Sequence, residues 1–184
     1  MKVLVFLAEG FEEVEALTVV DYLRRLDSVE VDMVSITNNE YVKGAHGIIV
    51  KADKTLINLK NISSYNCAVI PGGMPGATNL RDEEKVIDIL KQLNQDKKLI
   101  AAICAGPIVL ERAGLLENKK VTSYPGFESE FSNSIYLEEN VVIDENIITS
   151  RGPAIAVDFA LAIAEKLVGE RRARDLKLDI LYLE

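Results

Sequence analysis

Short apolar runs alternate with longer segments of helical periodicity along this chain. Three runs are almost continuously apolar, which is typical of strands covered on both faces of a sheet: residues 2–8, Cys67–Ile70 and Leu99–Ile103. Two longer segments, residues 12–26 and 83–95, repeat apolar residues near the helical period. Strands that alternate with helices in this way predict parallel βαβ units.

Weaker patterns fill the spaces between these elements. Alternating apolar positions predict a half-buried strand at residues 29–37, and a hairpin at residues 41–42 and 48–51 around a glycine-containing turn. Further short strands are predicted at residues 121–123, Val141–Asp144 and Ile147–Ser150, and further helices at residues 105–113 and 153–168. We therefore expect an α/β fold, a three-layer sandwich with a mostly parallel sheet, in a single domain over residues 1–184.

Composition and charge exclude several classes of protein. With 48% hydrophobic and 27% charged residues the chain is typical of a globular domain, and its net charge of −8 argues against a nucleic-acid partner. The arginines at 171, 172 and 174 are typical of a solvated helix face. No apolar stretch reaches the roughly 20 residues of a membrane span, and no export signal is evident. Two cysteines without metal-ligand spacing then predict a reducing compartment, the cytoplasm, and no membrane association.

Unusual residues follow three of the predicted strands. Glu9 and Gly10 follow the first strand, Pro71-Gly72-Gly73 follows the strand Cys67–Ile70, and Cys104 follows Leu99–Ile103. Ligands bind beyond the carboxyl ends of the strands in open parallel sheets. We therefore expect the three segments to line one crevice.

Cys104 is the strongest single signal, because it lies between a buried strand and the start of a helix, beside the small residues Ala105 and Gly106. Such a residue sits on a sharp turn with its side chain exposed, as in a nucleophile elbow. A helix N-terminus stabilises thiolate and is expected to lower the pKa of the thiol. The alternative is a buried structural cysteine, an interpretation that fits Cys67 within its apolar strand.

Two neighbouring features could assist a thiolate. Gly72 and Gly73 let backbone N–H groups approach an anion closely, although Pro-Gly-Gly is also an ordinary tight turn. Glu15 lies three residues after Glu12 and could reach the crevice, where a facing thiolate would raise its pKa and make it a proton donor or shuttle. Glu12 and Glu13 are explained by the preference of a first helical turn for negative charge.

The single histidine, His46, lies in the predicted hairpin turn. It is either a surface residue or a pocket residue that reaches Cys104, within one subunit or across a dimer, and the sequence leaves these alternatives open. No metal-ligand spacing and no cofactor-binding motif is visible, so we expect neither a metal nor an organic cofactor.

Together these motifs resemble the ThiJ/PfpI family, and within it the branch of the parkinsonism-associated protein DJ-one, over nearly the whole chain. The resemblance is carried by residues 12–15, residues 71–73 with Gly76, Asn79 and Leu80, residues 102–107, residues 149–153 and residues 159–163. It implies a flavodoxin-like sandwich, usually a homodimer, and a nucleophilic Cys104 whose thiolate is hydrogen-bonded to a protonated Glu15. It also implies that the backbone N–H groups of Gly73 and Ala105 bind an oxyanion.

Three positions qualify the resemblance. Tyr124 stands where many members have histidine, so only a phenol is available for proton transfer or substrate orientation there. His46 stands where related members have an arginine near the partner's cysteine. Ala105 follows the cysteine where the peptidase branch carries histidine, which argues against peptidase activity.

The resemblance implies cofactor-independent conversion of methylglyoxal or glyoxal to hydroxy acids, and deglycation of early glyoxal adducts. The leading hypothesis is therefore an enzyme in which Cys104 and Glu15 act on a small dicarbonyl substrate, with Tyr124 and His46 as candidate pocket residues. The alternatives are an oxidative-stress sensor in which Cys104 is oxidised to sulfinate, and a holdase chaperone that does not need the thiol.

Overall fold

A seven-stranded sheet forms the centre of the protein in this computed structural model, which describes residues 1–182. In chain order the strands are β1 (Lys2–Leu7), β2 (Glu30–Ser35), β3 (Tyr41–Lys43), β4 (Ile49–Lys51), β5 (Lys54–Thr55), β6 (Cys67–Ile70), β7 (Leu99–Ile103), β8 (Lys120–Val121), β9 (Ile135–Tyr136), β10 (Val141–Asp144) and β11 (Ile147–Ser150). The described residues thus form further strands outside this sheet, the pairs β3–β4 and β8–β9. The helices are α1 (Glu13–Arg24), α2 (Gly76–Asp82), α3 (Glu84–Gln95), α4 (Pro107–Arg112), α5 (Ala156–Val168) and α6 (Glu170–Asp179). The order across the sheet is β10-β11-β7-β6-β1-β2-β5, and only the pair β10–β11 is antiparallel.

The sheet is covered on both faces, which explains why its strands are apolar throughout. Along β1, Val3, Val5 and Leu7 belong to one buried cluster that includes residues of α1, α5 and α6. Leu4 and Phe6 point to the opposite face and join a second cluster with α2, α3 and α4. Successive side chains of a strand alternate between faces, so the two clusters are the two interfaces of a three-layer sandwich.

The predicted fold class, α/β with a mostly parallel sheet, is confirmed. Four strands have the predicted bounds: Cys67–Ile70, Leu99–Ile103, Val141–Asp144 and Ile147–Ser150. The hairpin is β3 and β4, which pair antiparallel around the turn that contains His46. The single-domain prediction extends to residues 183 and 184, which lie outside the described residues.

Two predicted helices are shorter than the apolar pattern indicated. The helix expected over residues 105–113 begins at Pro107, because residues 104–106 form a turn in which the Gly106 N–H donates to the Ile103 carbonyl at 2.8 Å. The segment 153–168 begins with a single 3₁₀ turn, Pro153–Ile155, and becomes α-helical only at Ala156. Among residues 1–182, none of the helices has both the length and the hydrophobicity required to cross a bilayer.

The carboxyl ends of β1, β6 and β7 lie side by side, as the sequence predicts. The N–H of Glu12 donates to the Gly72 carbonyl at 3.0 Å, and the N–H of Gly76 donates to the Gly10 carbonyl at 3.3 Å. These bonds join the loop after β1 to the loop after β6. The order in which strands are added to the sheet reverses at β1, since β2 lies on one side of β1 and β6 on the other, and open α/β sheets form their ligand crevice at such a point.

Candidate active site

Cys104 occupies a strained turn directly after β7. Its φ is +64°, a left-handed conformation that residues other than glycine rarely adopt. Two backbone hydrogen bonds of 2.9 Å hold it there, one from the Cys104 N–H to the Ser150 carbonyl and one from the Tyr124 N–H to the Cys104 carbonyl. The side chain is half-buried, whereas Cys67 is fully buried in the core. The turn therefore presents one thiol at the end of the sheet.

The backbone N–H groups of Gly73 and Ala105 act to lower the pKa of the Cys104 thiol. Gly73 has a φ of +83°, and a Cβ added to it would lie 2.4 Å from the Glu12 nitrogen and 2.5 Å from the Gly10 carbonyl oxygen. No side chain fits at such distances, so only glycine brings this N–H so close to the loop after β1. That these two N–H groups bind an oxyanion stays a prediction.

Glu15 reaches the same crevice from the first turn of α1. It is fully buried, and its Oε2 accepts a hydrogen bond of 2.8 Å from the Gly72 N–H. A Cβ added to Gly72 would lie 2.6 Å from the Cys104 Cβ and 2.8 Å from Glu15 Oε2, so the glycine lets all three residues meet. The Gly72 N–H, which the sequence predicts to bind an oxyanion, donates its hydrogen bond to Glu15 instead. The other carboxyl oxygen, Oε1, has no hydrogen-bond partner within residues 1–182.

Cys104 and Glu15 titrate as a pair. Burial raises the pKa of Glu15 to about 7, although the Gly72 N–H and the thiol act in the opposite direction. Burial, followed by the charge of the Glu15 carboxylate, raises the pKa of the Cys104 thiol to about 12, while the N–H groups of Ala105 and Gly73 act to lower it. The pair therefore holds a single negative charge between about pH 7 and about pH 12.

The prediction that the helix N-terminus lowers the pKa of the Cys104 thiol is wrong, because that pKa is raised. Helix α4 begins three residues later, at Pro107, which has no N–H to offer. Burial of the sulfur and the facing carboxylate outweigh the two nearby backbone donors. Whether the thiol ionises at neutral pH thus depends on which member of the pair keeps the proton.

His46 contacts the acidic residues at the start of α1. Its Nδ1 lies 3.0 Å from Glu13 Oε2 and 3.5 Å from Glu12 Oε1, and its ring is exposed. Glu13 Oε1 accepts hydrogen bonds from the backbone N–H groups of His46 and Ile48, so this buried carboxylate holds the hairpin turn against α1. Hydrogen bonding to Glu13 raises the pKa of His46. Within residues 1–182, His46 makes no hydrogen bond to Cys104.

Sequence reasoning missed this role of Glu13, because an acidic first turn already explained the residue. The residue that could have indicated this role is Gly44 in the hairpin, because an added Cβ there would lie 2.3 Å from the Glu13 carboxyl group. The donor atoms of Glu12, Glu13 and His46 lie within 4.8 Å of one another and form the one group in residues 1–182 with a geometry suited to a metal ion. Hydrogen bonds already engage both oxygens of Glu13. The expected absence of a metal stays a prediction.

Tyr124 lies at the rim of the site. Its backbone N–H holds Cys104, and its ring is 48% exposed and packs against Gly152, where an added Cβ would lie 3.3 Å from the ring atom Cδ2. Tyr124 is therefore joined to Cys104 through the backbone, and its hydroxyl makes no hydrogen bond within residues 1–182.

These features define a class: α/β proteins with a cysteine on a strained strand-to-helix turn, faced by a buried glutamate. The model of the DJ-1/PfpI family matches residues 1–166. The zebrafish (Danio rerio) Parkinson disease protein 7 homolog is 35% identical over 183 residues, 98% of this chain and 96% of that protein. Arabidopsis thaliana protein DJ-1 homolog B is 36% identical over 176 residues, which is 95% of this chain but only 40% of that protein's length.

A solved structure of Toxoplasma gondii DJ-1, in an oxidised form, is 40% identical to this chain with a TM-score of 0.91. The alignment covers 100% of this chain and 99% of that chain. The chain belongs to the DJ-1/PfpI family, whose members are often enzymes. The resemblance found from the sequence motifs is thereby confirmed.

Proposed function

We propose that this protein is a cysteine-dependent, cofactor-independent glyoxalase or deglycase that acts on methylglyoxal or glyoxal and their adducts. The observation that carries the proposal is the position of Cys104, on a strained turn, next to the buried carboxyl group of Glu15, with Gly72 between them. A nucleophile, a proton carrier and two oxyanion donors then meet in one crevice. These are the groups that aldehyde addition and proton transfer require.

The proposal places the shared charge on sulfur. A thiolate at Cys104 would accept from the N–H groups of Gly73 and Ala105, and Glu15 Oε1 would carry the proton and donate it to the sulfur. The opposite arrangement leaves both N–H groups facing a neutral thiol and gives Oε1 only a weak S–H donor. A buried acceptor without a good donor costs about 1–3 kcal/mol, which favours the thiolate arrangement.

The reaction follows from these positions. The Cys104 thiolate adds to the aldehyde carbon of methylglyoxal, and the resulting oxyanion, held by Gly73 and Ala105, takes the proton of Glu15 to give a hemithioacetal. The Glu15 carboxylate then removes the hydrogen of that carbon as a proton, forming an enediolate, and returns it to the neighbouring ketone carbon, while the hydroxyl proton passes from the former aldehyde oxygen to the former ketone oxygen. The aldehyde carbon is oxidised and the ketone carbon is reduced, which yields a lactate thioester. Water hydrolyses the thioester and releases lactate.

The test is lactate formation from methylglyoxal by the purified protein in D₂O, without added cofactor. Because Glu15 carries the migrating hydrogen as a proton, we expect deuterium at the former ketone carbon, measured by NMR or mass spectrometry. Lactate production no faster than in a protein-free control would refute the enzyme. Lactate that retains only protium at that carbon would mean either that the proton returns without exchange or that hydride is transferred, and undiminished turnover in Glu15→Gln would then remove Glu15 from the pathway.

A redox sensor is the second candidate, and the contrast between the two cysteines favours it. Cys104 is half-buried beside two N–H donors that could bind sulfinate oxygens, whereas Cys67 is fully buried. Accessible thiolates are the first to be oxidised to sulfinate. Limited peroxide followed by intact-mass measurement separates the candidates: a gain of two oxygens confined to Cys104, together with no dicarbonyl turnover, would favour the sensor.

We further propose that the protein is a cytoplasmic homodimer. Glu13 holds the hairpin against the start of α1. Around these two elements four large apolar side chains are exposed: Val14, Tyr41, Ile48 and Ile49. An exposed apolar patch of this kind is typical of an interface. A reducing compartment is consistent with two cysteines that are both free thiols.

A further inference from the structure

Two adjoining clefts open at the amino ends of the parallel strands, at the opposite end of the sheet from Cys104. Their volumes are about 580 Å³ and about 300 Å³. Lys97, Glu145 and Asn146 line both of them, so the two clefts form one continuous depression. We call it the amino-end cleft.

The amino-end cleft follows the starts of four neighbouring strands, in the order β11, β7, β6 and β1. The residue that directly precedes each of these strands lines it: Asn146, Lys98, Asn66 and Met1. Cys104 lies six positions after Lys98, at the far end of β7. A strand rises about 3.3 Å per residue, which places the two residues roughly 20 Å apart. The amino-end cleft is therefore separate from the candidate active site.

Positive charge collects in this cleft, although the whole chain has a net charge of −8. Four lysines line it: Lys97, Lys98, Lys119 and Lys166. Lys119 pairs with Glu145, which is the one acidic residue of the described lining. The other three lysines make no ion pair within residues 1–182, so their charges are available to a ligand.

Two asparagine side chains add hydrogen-bond donors to the lining. Asn94 Oδ1 accepts a hydrogen bond of 3.0 Å from Asn146 Nδ2. Asn66 Oδ1 accepts one of 2.9 Å from the Lys2 N–H. Each amide therefore has its oxygen engaged, while its NH₂ group makes no hydrogen bond within residues 1–182. Amide NH₂ groups and lysine ammonium groups can only donate, so the unengaged polar groups of the cleft are mostly donors.

A donor-rich lining with several positive charges fits an anion that has many acceptor oxygens. Lysine binds phosphate groups as a point charge, and clefts of roughly 300–1,000 Å³ hold ligands larger than a single phosphate. We infer that the amino-end cleft binds a small polyphosphate anion, either inorganic polyphosphate or the phosphate chain of a nucleotide. This binding site is independent of the proposed function.

The test is calorimetric titration of the full chain with tripolyphosphate and with ATP, without divalent cations. A salt concentration of about 50 mM keeps screening of the exposed lysines low. Lys97→Gln removes one lining charge and should weaken tripolyphosphate binding about fivefold, the upper contribution of one exposed ion pair. Asn94→Asp keeps an acceptor for Asn146 but replaces the NH₂ donor with a charged oxygen, so binding should weaken about tenfold or more.

Lys91→Gln is the matched control. Lys91 is exposed on α3 and lines neither part of the cleft. All three substitutions make the net charge more negative by one, so they alter the long-range attraction of anions equally. We expect Lys91→Gln to bind tripolyphosphate as the wild-type protein does.

The two anions distinguish the sources of the ligand. ATP that binds more tightly than tripolyphosphate would identify a nucleotide, and equal or weaker binding of ATP would identify inorganic polyphosphate; either result supports the inference. No measurable binding of either anion would overturn it. An affinity in Lys97→Gln no lower than that in Lys91→Gln would overturn it as well, because the attraction would then come from the surface at large.

Discussion

Replacing Cys104 with alanine will lower lactate formation from methylglyoxal by about a thousandfold or more, as loss of a catalytic nucleophile generally does. Without the sulfur no hemithioacetal forms, so Glu15 has no acidified hydrogen to move. Cys104→Ser should be almost as inactive, because a serine hydroxyl is far less acidic than a thiol and its oxygen would stay protonated beside Glu15. Initial rates of lactate release at neutral pH measure both variants.

Cys67→Ala is the matched control. Cys67 is fully buried in β6, and burial raises the pKa of its thiol, so it takes no part in the reaction. The variant removes one cysteine from the chain and leaves a small cavity in the core. We expect it to lose some stability and keep its turnover. Turnover that survives in Cys104→Ala would refute the nucleophile.

Gly73→Ala is expected to cause the largest loss of stability of any single methyl addition near the site. The new Cβ would lie 2.4–2.6 Å from three backbone atoms of residues 10–12, which cannot move away as a flexible side chain could. Overpacking against a fixed backbone, added to an unfavourable φ, should cost about 3 kcal/mol or more of unfolding free energy. Any folded fraction should have little activity, because the Gly73 N–H would be displaced from the sulfur.

Gly169→Ala separates crowding from backbone strain. Gly169 has the same φ of +83°, and an added Cβ there has nothing within 4 Å. Its substitution should therefore cost only the backbone term, on the order of 1–3 kcal/mol, with turnover retained. Urea unfolding of both variants gives the comparison. Equal losses would mean that the close packing at Gly73 contributes nothing.

The fold was predictable where burial alone decides it. Both faces of the strands Cys67–Ile70 and Leu99–Ile103 are covered, so their sequences are continuous apolar runs. Apolar runs this short are typical of buried strands. Helix α2 was not predicted, since its sequence begins Gly76-Ala77-Thr78-Asn79, which has little helical preference. Its hold on the loop after β1, through Gly76 and Gly10, is a tertiary contact that local sequence does not show.

The sequence predicts which residues form the candidate site, but it does not predict their protonation states. Strand ends identified Cys104, Glu15 and Gly73, because a parallel sheet brings its carboxyl ends together. The pKa of the thiol depends on burial and on a carboxylate 89 positions away in the chain, and neither is visible locally. The structural role of Glu13 was missed for the same reason, because its hydrogen-bond partners lie 33 and 35 residues further along the chain.

The most direct test of the account is the ultraviolet absorbance of the Cys104 thiolate as a function of pH. The difference between the wild-type protein and Cys104→Ala isolates this thiol, because the tyrosines and Cys67 contribute equally to both. If Glu15 keeps the proton, the first charge of the pair appears on sulfur, and the absorbance rises with a midpoint at or below about pH 7. If Glu15 ionises first, thiolate appears only as the pH approaches about 12, and the proposed nucleophile is absent at neutral pH.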